Sequence, residues 1–202
     1  MNLRLLFFAF LSTVTLYSKP LSVQVAAPIA ILMNADTGVI LYAKDVHARC
    51  WPASTTKIAT ALYVLEKKGE GLDEMALASK DALHSVHSYT RLAEGSKHPP
   101  YRLEHDGTMI WLKPGEKISL ASLLHGLMLS SGNDAGNVLA EYVSGSIDRF
   151  CEELNLYFKQ HGINETQFVN PQGLHHNDHW TTAHDMAQIT RLAMRHPFFR
   201  EL

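Results

Sequence analysis

The chain has 202 residues, of which 46% are hydrophobic and 19% are charged, as expected for a soluble globular domain. This length suits one domain or part of a larger one. The formal net charge is −2 and the sequence contains no extended basic run, which argues against nucleic acid as the main partner.

The first residues have the pattern of an export signal. A short positive stretch precedes an apolar run at 5–16, and small residues that suit cleavage follow at Ser18 and again near residue 27. The run is too short for a comfortable transmembrane span, and an uncleaved inner-membrane anchor is the alternative. The pattern predicts a signal peptide over 1–18, or to about 27, and a mature segment over 19–202 in the periplasm or at the periplasmic face of the inner membrane.

Two short strands are predicted next. Residues 29–33 and 39–42 are apolar, and the turn-forming stretch 34–38 between them makes the pair a hairpin. Pro52 then ends the extended run, and a helix is predicted to begin near Ser54.

The start of this helix contains a Ser-x-x-Lys motif, formed by Ser54 and Lys57. Residues three apart share a helix face, so the hydroxyl and the amine can meet. A serine hydroxyl is a poor nucleophile until a base takes its proton. A lysine can be that base when desolvation or the positive field of a helix N-terminus lowers its pKa. The motif alone is weak, because a serine before an amphipathic helix is usually only an N-cap.

Residues 84–111 are predicted to form a long surface loop, because His, Ser, Gly and Pro are frequent there. Of two roles for this segment, a solvated insertion is favoured over a lid across the cleft. Four further helices follow. The first covers about 119–128, the second is capped by Asp134, and two more cover 147–161 and 183–194, the last opened by a Thr182–Asp185 capping box.

A second motif lies at the break between two of these helices. Ser131 and Asn133 form the only Ser-x-Asn in the chain, and Ser54 with Lys57 form the only Ser-x-x-Lys. Penicillin-binding proteins and class A β-lactamases combine these two motifs, in this order, with a third, Lys-Thr-Gly.

The chain as a whole resembles the serine-type D-alanyl-D-alanine carboxypeptidases, which are low-molecular-mass penicillin-binding proteins. The resemblance covers nearly the whole mature segment, through residues 31–57, 112–116, 123–135, 168–174 and 181–187. It implies an α+β fold of the β-lactamase/transpeptidase type, with a helical cluster and an antiparallel sheet whose closing strands are missing from this sequence.

The resemblance also implies a role for each motif residue. Ser54 would attack the carbonyl of the penultimate D-Ala in a peptidoglycan stem peptide, and Lys57 would accept its proton. Ser131 would relay a proton to the leaving D-Ala amine. Asn133 would bind the substrate amide and help to hold Lys57. β-Lactams would acylate Ser54 as substrate mimics, and no cofactor is implied.

One part of the family pattern is absent. No Lys-Thr-Gly follows the Ser-x-Asn motif, and the similar stretch at residues 113–115 precedes it and is typical of a turn. In the family, the third motif supplies a lysine for the substrate carboxylate and a strand N–H for the oxyanion hole, and loss of such a donor typically costs about 10²–10³ in rate. The expectation is a truncated product or half of a split gene with little turnover alone, so an inactive or penicillin-binding fragment is the alternative function.

Two other enzymatic alternatives have sequence features against them. A class A β-lactamase needs Glu-x-x-x-Asn after the Ser-x-Asn motif, but Cys151 stands four residues before Asn155. A zinc peptidase would use clustered His and Asp side chains, but the His-Glu-x-x-His spacing is missing and a His-rich surface loop explains the cluster better. That cluster comprises His175, His176, Asp178, His179 and His184. No metal ligand is therefore assigned.

The only two cysteines are Cys50 and Cys151. An exported protein could oxidise them to a disulfide. Two small apolar core residues explain them equally well.

Overall fold

The computed structural model describes residues 23–202, so the predicted signal peptide over 1–18 lies outside the described residues. In the described part the strands are β1 (Ala30–Met33), β2 (Ile40–Lys44), β3 (Met75–Leu77), β4 (Ser85–Val86), β5 (Leu103–Glu104) and β6 (Lys117–Ser119). The helices are α1 (Thr56–Lys68), α2 (Ser88–Leu92), α3 (Leu120–Leu129), α4 (Asn133–Ser144), α5 (Ile147–Gln160), α6 (Ala183–Ala193) and α7 (Pro197–Glu201). None of the helices within residues 23–202 is long and apolar enough to cross a membrane.

Helix α1 lies at the centre of the fold, with α3, α4, α5 and α6 packed around it. Its residues 59–65 are all buried, and the small side chains of Ala59 and Ala61 let neighbouring helices approach closely. Phe150 and Phe158 from α5 are also buried in this core. A central, well-packed helix therefore carries the Ser-x-x-Lys motif at its start.

Strands β1 and β2 form the predicted hairpin, antiparallel with Leu32 opposite Tyr42. Asn34 closes the turn, because its Oδ1 accepts the backbone N–H of Thr37 at 2.8 Å. Strand β2 runs on to Lys44, past the predicted end. The hairpin packs against α6 through β1. In the sequence it precedes the turn that leads into α1.

The prediction that residues 84–111 form a solvated insertion is wrong. The segment contains α2 and the parallel pair of strands β4 and β5. Leu103 and Arg102 are only 1% and 7% exposed. The Tyr101 carbonyl accepts a hydrogen bond from the buried Asn137 side chain at 3.0 Å. The polar composition concealed these anchors, because backbone carbonyls and buried charged side chains hold the segment in place of an apolar stripe.

Two helix starts follow the capping predictions only in part. Thr182 caps α6 as predicted, since its hydroxyl accepts the Asp185 N–H at 3.2 Å. The Asp185 side chain does not complete a capping box, because it bonds to a different segment. Asp134 is not the cap of α4: the helix begins at Asn133, and Gly132 occupies the N-cap position.

Both cysteines are free thiols. Cys50 pairs with Thr181 in an isolated β-bridge, and Cys151 is buried within α5. Burial raises the pKa of both thiols, which keeps them protonated and unreactive. In this structure they are packing residues, the second of the two interpretations left open by the sequence.

Candidate active site

The serine of the first motif lies at a strained entry to the central helix. Residues Ala53–Thr55 form one turn of 3₁₀-helix after Pro52, and α1 continues from Thr56. Ala53 has a φ of +49°, in the left-handed region that non-glycine residues rarely adopt and that costs about 1–3 kcal/mol. Ser54 itself is exposed, so its hydroxyl is open to a ligand.

Lys57 is 2% exposed, and its Nζ lies within hydrogen-bonding distance of three oxygens. These are Ser54 Oγ at 3.2 Å, Asn133 Oδ1 at 2.8 Å and the Gln172 carbonyl at 2.7 Å. Desolvation lowers the pKa of Lys57 to about 8. A lysine with that pKa has a minor neutral fraction near neutral pH, far larger than that of an ordinary lysine, and this neutral form can act as a base.

The second motif reaches the same point from the break between α3 and α4. Ser131 Oγ donates to Ser54 Oγ at 3.2 Å. Ser131 also has a positive φ, +53°, so both hydroxyls of the pair sit at or beside left-handed backbone. The Asn133 N–H donates to the Thr108 carbonyl at 2.8 Å, which fixes the break against the neighbouring segment.

All four predicted site residues therefore meet in one hydrogen-bonded cluster. A depression of about 280 Å³ opens over Ser54, Lys57 and Ser131, and its apolar wall includes Leu127 and Met128. A nucleophilic hydroxyl, a desolvated base and a second hydroxyl within reach of the first are the groups that acyl transfer requires.

Comparison with known sequences identifies the family. Residues 13–202 match the family Peptidase S11, described as D-alanyl-D-alanine carboxypeptidase. The chain belongs to this carboxypeptidase family. DacF, a D-alanyl-D-alanine carboxypeptidase of Bacillus subtilis, is 32% identical over 83% of this chain and 39% of its own length. DacA of Haemophilus influenzae is 33% identical over 82% of this chain and 39% of its own length. The chain thus spans 39% of the length of these relatives.

Solved structures confirm the predicted fold class for this carboxypeptidase chain. The D-alanyl-D-alanine carboxypeptidase DacD from Francisella tularensis superposes with a TM-score of 0.72 at 32% identity, over 90% of this chain and 40% of that one. A mutant of the Streptomyces K15 DD-transpeptidase gives a TM-score of 0.73 at 27% identity, over 89% of this chain and 65% of that one. The fold is therefore of the transpeptidase type, in agreement with the sequence resemblance.

Asp134 lies beside the hydrogen-bonded cluster, and its contacts were missed by the sequence patterns. It is 1% exposed, and its carboxylate accepts the backbone N–H groups of Ile110 and Leu112, both at 3.0 Å. These bonds hold the 110–112 segment against the first turn of α4, directly beside Asn133. The pattern indicated only a cap, because its actual partners are backbone amides distant in sequence.

Gly173 is a second residue whose role the sequence did not reveal. It has a φ of +93°, and a Cβ at this position would lie 1.8 Å from the Ala53 carbonyl oxygen. Its N–H donates to Asn170 Oδ1 at 2.7 Å, which closes a turn over 170–174. This turn presses on the backbone just before Ser54. The sequence Asn-Pro-Gln-Gly indicated a turn that needs a glycine, but it did not indicate which segment approaches that glycine.

His179 corrects the prediction that the histidine cluster is a surface loop. It is 1% exposed, its Nδ1 accepts the Val169 N–H at 3.1 Å, and its Nε2 lies 2.8 Å from Thr56 Oγ1. Because Nδ1 accepts, Nε2 carries the hydrogen and donates it to Thr56. Burial, with repulsion from His176 and His175, lowers the pKa of His179 to about 3. A neutral imidazole thus supports the first turn of the motif helix.

We expect acid to destabilise the chain through His179. The unfolded imidazole binds a proton below its ordinary pKa of about 6.5, whereas the folded one stays neutral down to a pKa of about 3. The unfolding free energy should therefore fall as the pH drops from 6.5 towards 3. His179→Gln should flatten this dependence by up to about 1.4 kcal/mol per pH unit. Urea unfolding between pH 4.5 and 7.5 measures it, with the exposed His161→Gln as control; equal slopes for all three proteins would contradict the expectation.

Proposed function

We propose that this chain forms the acylation site of a serine-type D,D-carboxypeptidase, which removes the terminal D-Ala from peptidoglycan stem peptides. The observation that carries the proposal is the set of three oxygens around Lys57 Nζ, one of them the Ser54 hydroxyl. Membership of the D-alanyl-D-alanine carboxypeptidase family supports the same chemistry. The chain spans 39% of the length of relatives such as DacF, so the activity of the whole enzyme belongs to the proposal.

The contacts of Lys57 support its proposed role as the base. A neutral amine has two N–H groups and one lone pair. The Asn133 side-chain oxygen and the Gln172 carbonyl can only accept, so they take the two N–H groups. The lone pair is then left for the Ser54 hydroxyl at 3.2 Å, whose proton it can remove.

The reaction proceeds in two stages. Ser54 Oγ attacks the carbonyl carbon of the penultimate D-Ala while Lys57 takes the hydroxyl proton, which gives a tetrahedral oxyanion. The C–N bond then breaks as the Ser131 hydroxyl gives a proton to the leaving D-Ala amine, and Ser131 regains a proton from Lys57. An acyl ester remains on Ser54. Water attacks this ester with Lys57 again as base, which releases the shortened peptide.

Asn133 has two tasks in this scheme. Its Oδ1 holds Lys57 at 2.8 Å, and this contact assigns the orientation of the amide group. The opposite Nδ2 is then the donor offered to the amide carbonyl of the stem peptide. A β-lactam presents an equivalent amide to the same groups. We therefore expect Ser54 to attack its ring carbonyl and to keep the opened ring as an acyl ester.

The proposed turnover is tested by release of free D-Ala from a stem pentapeptide ending in D-Ala-D-Ala. In line with the little turnover expected for a chain without the third motif, we expect slow release by the purified chain and none from Ser54→Ala. Ser122→Ala, an exposed serine on α3 outside the site, should behave as the wild type. Formation of a penicilloyl adduct without D-Ala release would instead support the alternative, a penicillin-binding chain without turnover. Neither adduct nor release from a folded chain would contradict the proposal.

We also propose that the chain acts in the periplasm or at the periplasmic face of the inner membrane, where peptidoglycan is accessible. The basis is the export pattern over residues 1–18. Fractionation of cells that express the whole chain, with Leu5→Arg in the apolar run as a control expected to block export, measures this directly. Wild-type protein confined to the cytoplasm would contradict it.

A further inference from the structure

Two histidines and a glutamate from three separate segments meet on the surface. The hydrogen bonds described for them do not involve the cluster around Ser54. His47 follows β2, Glu165 precedes α6 in the loop after α5, and His184 lies in the first turn of α6. One ligand atom from each lies within 4.8 Å of the other two. The structure assigns a Zn²⁺ site to His47, Glu165 and His184, which does not depend on the proposed carboxypeptidase function. Sequence spacing did not predict this site, because only His184 of the three belongs to the histidine-rich cluster at 175–184.

The donor set defines the class of cation. Two imidazoles and one carboxylate suit zinc and its neighbours among the transition metals, whereas calcium and magnesium prefer oxygen ligands alone. Zinc with three protein ligands completes a tetrahedral shell with water. The side chains of His47 and Glu165 are 60% and 46% exposed, so a cation and its water can enter from solvent.

A buried carboxylate already orients two of the three ligands. Asp185 is 2% exposed, and its Oδ1 lies 3.2 Å from Nδ1 of His184. Its Oδ2 accepts the backbone N–H of Glu165 at 2.7 Å and the Thr166 hydroxyl at 2.9 Å. A carboxylate that holds one ring nitrogen of a histidine fixes its tautomer and leaves the other nitrogen for metal, an arrangement common behind zinc ligands.

The third ligand, His47, is positioned by a backbone hydrogen bond of the adjacent Val46. The His184 N–H donates to the Val46 carbonyl at 3.0 Å, which ties the turn containing His47 to the start of α6. The His47 and His184 rings lie 4.9 Å apart between centroids. Zinc–nitrogen and zinc–oxygen bonds of about 2.0–2.2 Å place tetrahedral ligand atoms roughly 3.4 Å apart. The present ligand atoms, within 4.8 Å of one another, are therefore close to the separations that a tetrahedral site needs.

The plain alternative is an ion pair between His47 and Glu165, whose Nδ1 and Oε2 lie 2.5 Å apart. That pair alone does not need His184 and predicts no saturable metal binding. These two atoms would have to separate to admit a cation. The bound cation would then link the segment between β2 and Ser54, which contains His47, to the N-terminus of α6. The site should therefore raise the melting temperature when zinc is present.

Zinc titration of the whole chain, purified without a histidine tag, tests the site by competition with a chromophoric chelator. We expect one Zn²⁺ per chain, with affinity lowered at least about tenfold in His47→Ala and in His184→Ala. Glu165→Gln should also weaken binding. His176→Ala is the matched control. His176 is a partly exposed histidine from the histidine-rich stretch at 175–184, and it is not one of the three proposed ligands.

A second readout separates loss of the site from loss of folding. Zinc should raise the melting temperature of the wild type and of His176→Ala, but not that of His47→Ala, with unchanged far-UV circular dichroism in all three. Absence of saturable binding in the wild type would overturn the proposal. Wild-type affinity in both His47→Ala and His184→Ala, or an equal loss in His176→Ala, would overturn it as well.

Discussion

Gly173→Ala is expected to slow acylation of Ser54 by at least about 10²-fold, the cost of a displacement of roughly 1 Å at a reacting group. The added Cβ would lie 1.8 Å from the Ala53 carbonyl oxygen, so one of the two backbones has to move. Ala53 is already strained, with a φ of +49°, and it directly precedes Ser54, the proposed nucleophile. The turn over 170–174 also presents the Gln172 carbonyl to Lys57, so the same shift disturbs the base.

The matched control for this change is Gly145→Ala. Gly145 also has a positive φ, +81°, but no atom lies within 4 Å of the Cβ it would gain. It should lose only the roughly 1–2 kcal/mol of left-handed backbone strain and keep its acylation rate. Benzylpenicillin acylation followed by quench and intact mass gives the rate, and thermal unfolding gives the stability. A wild-type acylation rate in Gly173→Ala would show that the contact with Ala53 does not position the nucleophile.

Acylation of Ser54 should rise with pH and level off above an apparent pKa of about 8, the value to which desolvation lowers the pKa of Lys57. The sign follows from the mechanism, because only the neutral amine has a lone pair for the Ser54 proton. Lys57→Ala should lower the acylation rate by about 10²–10⁴-fold, the usual contribution of a general base. His179 does not contribute to this profile, since its pKa of about 3 leaves it neutral throughout.

The rate of penicilloyl-adduct formation between pH 6 and 9.5 measures this dependence. Lys67→Ala is the control, because Lys67 is an exposed lysine on the same helix. It should reproduce the wild-type profile. A flat profile between pH 6.5 and 9, or wild-type acylation by Lys57→Ala, would show that Lys57 is not the base.

The local features of the chain were predictable because each depends on nearby residues. The hairpin follows from the turn at Asn34, and the capping of α6 follows from Thr182. The pairing of Ser54 with Lys57 follows from helical spacing. Bringing Ser131 and Asn133 to the same site needed the family resemblance, since 77 positions separate the two serine hydroxyls.

What the sequence concealed are contacts between distant segments through backbone groups. The clash that keeps residue 173 a glycine involves a carbonyl from the turn before α1. Asp134 resembles a helix cap in the sequence, but in the structure its carboxylate accepts the N–H groups of Ile110 and Leu112. The burial of His179 against Thr56 has the same origin. No period or motif encodes which backbone will approach such a residue, so composition alone assigned these positions to turns, caps and loops.

Ser54 and Lys57 are proposed to form a reactive pair in this chain. The most direct test is the intact mass of the purified, folded chain before and after benzylpenicillin, with Ser54→Ala treated in parallel. We expect a mass increase of one penicilloyl group on the wild type and none on Ser54→Ala. A folded wild-type chain that gains no adduct, or a Ser54→Ala chain that gains the same one, would contradict it.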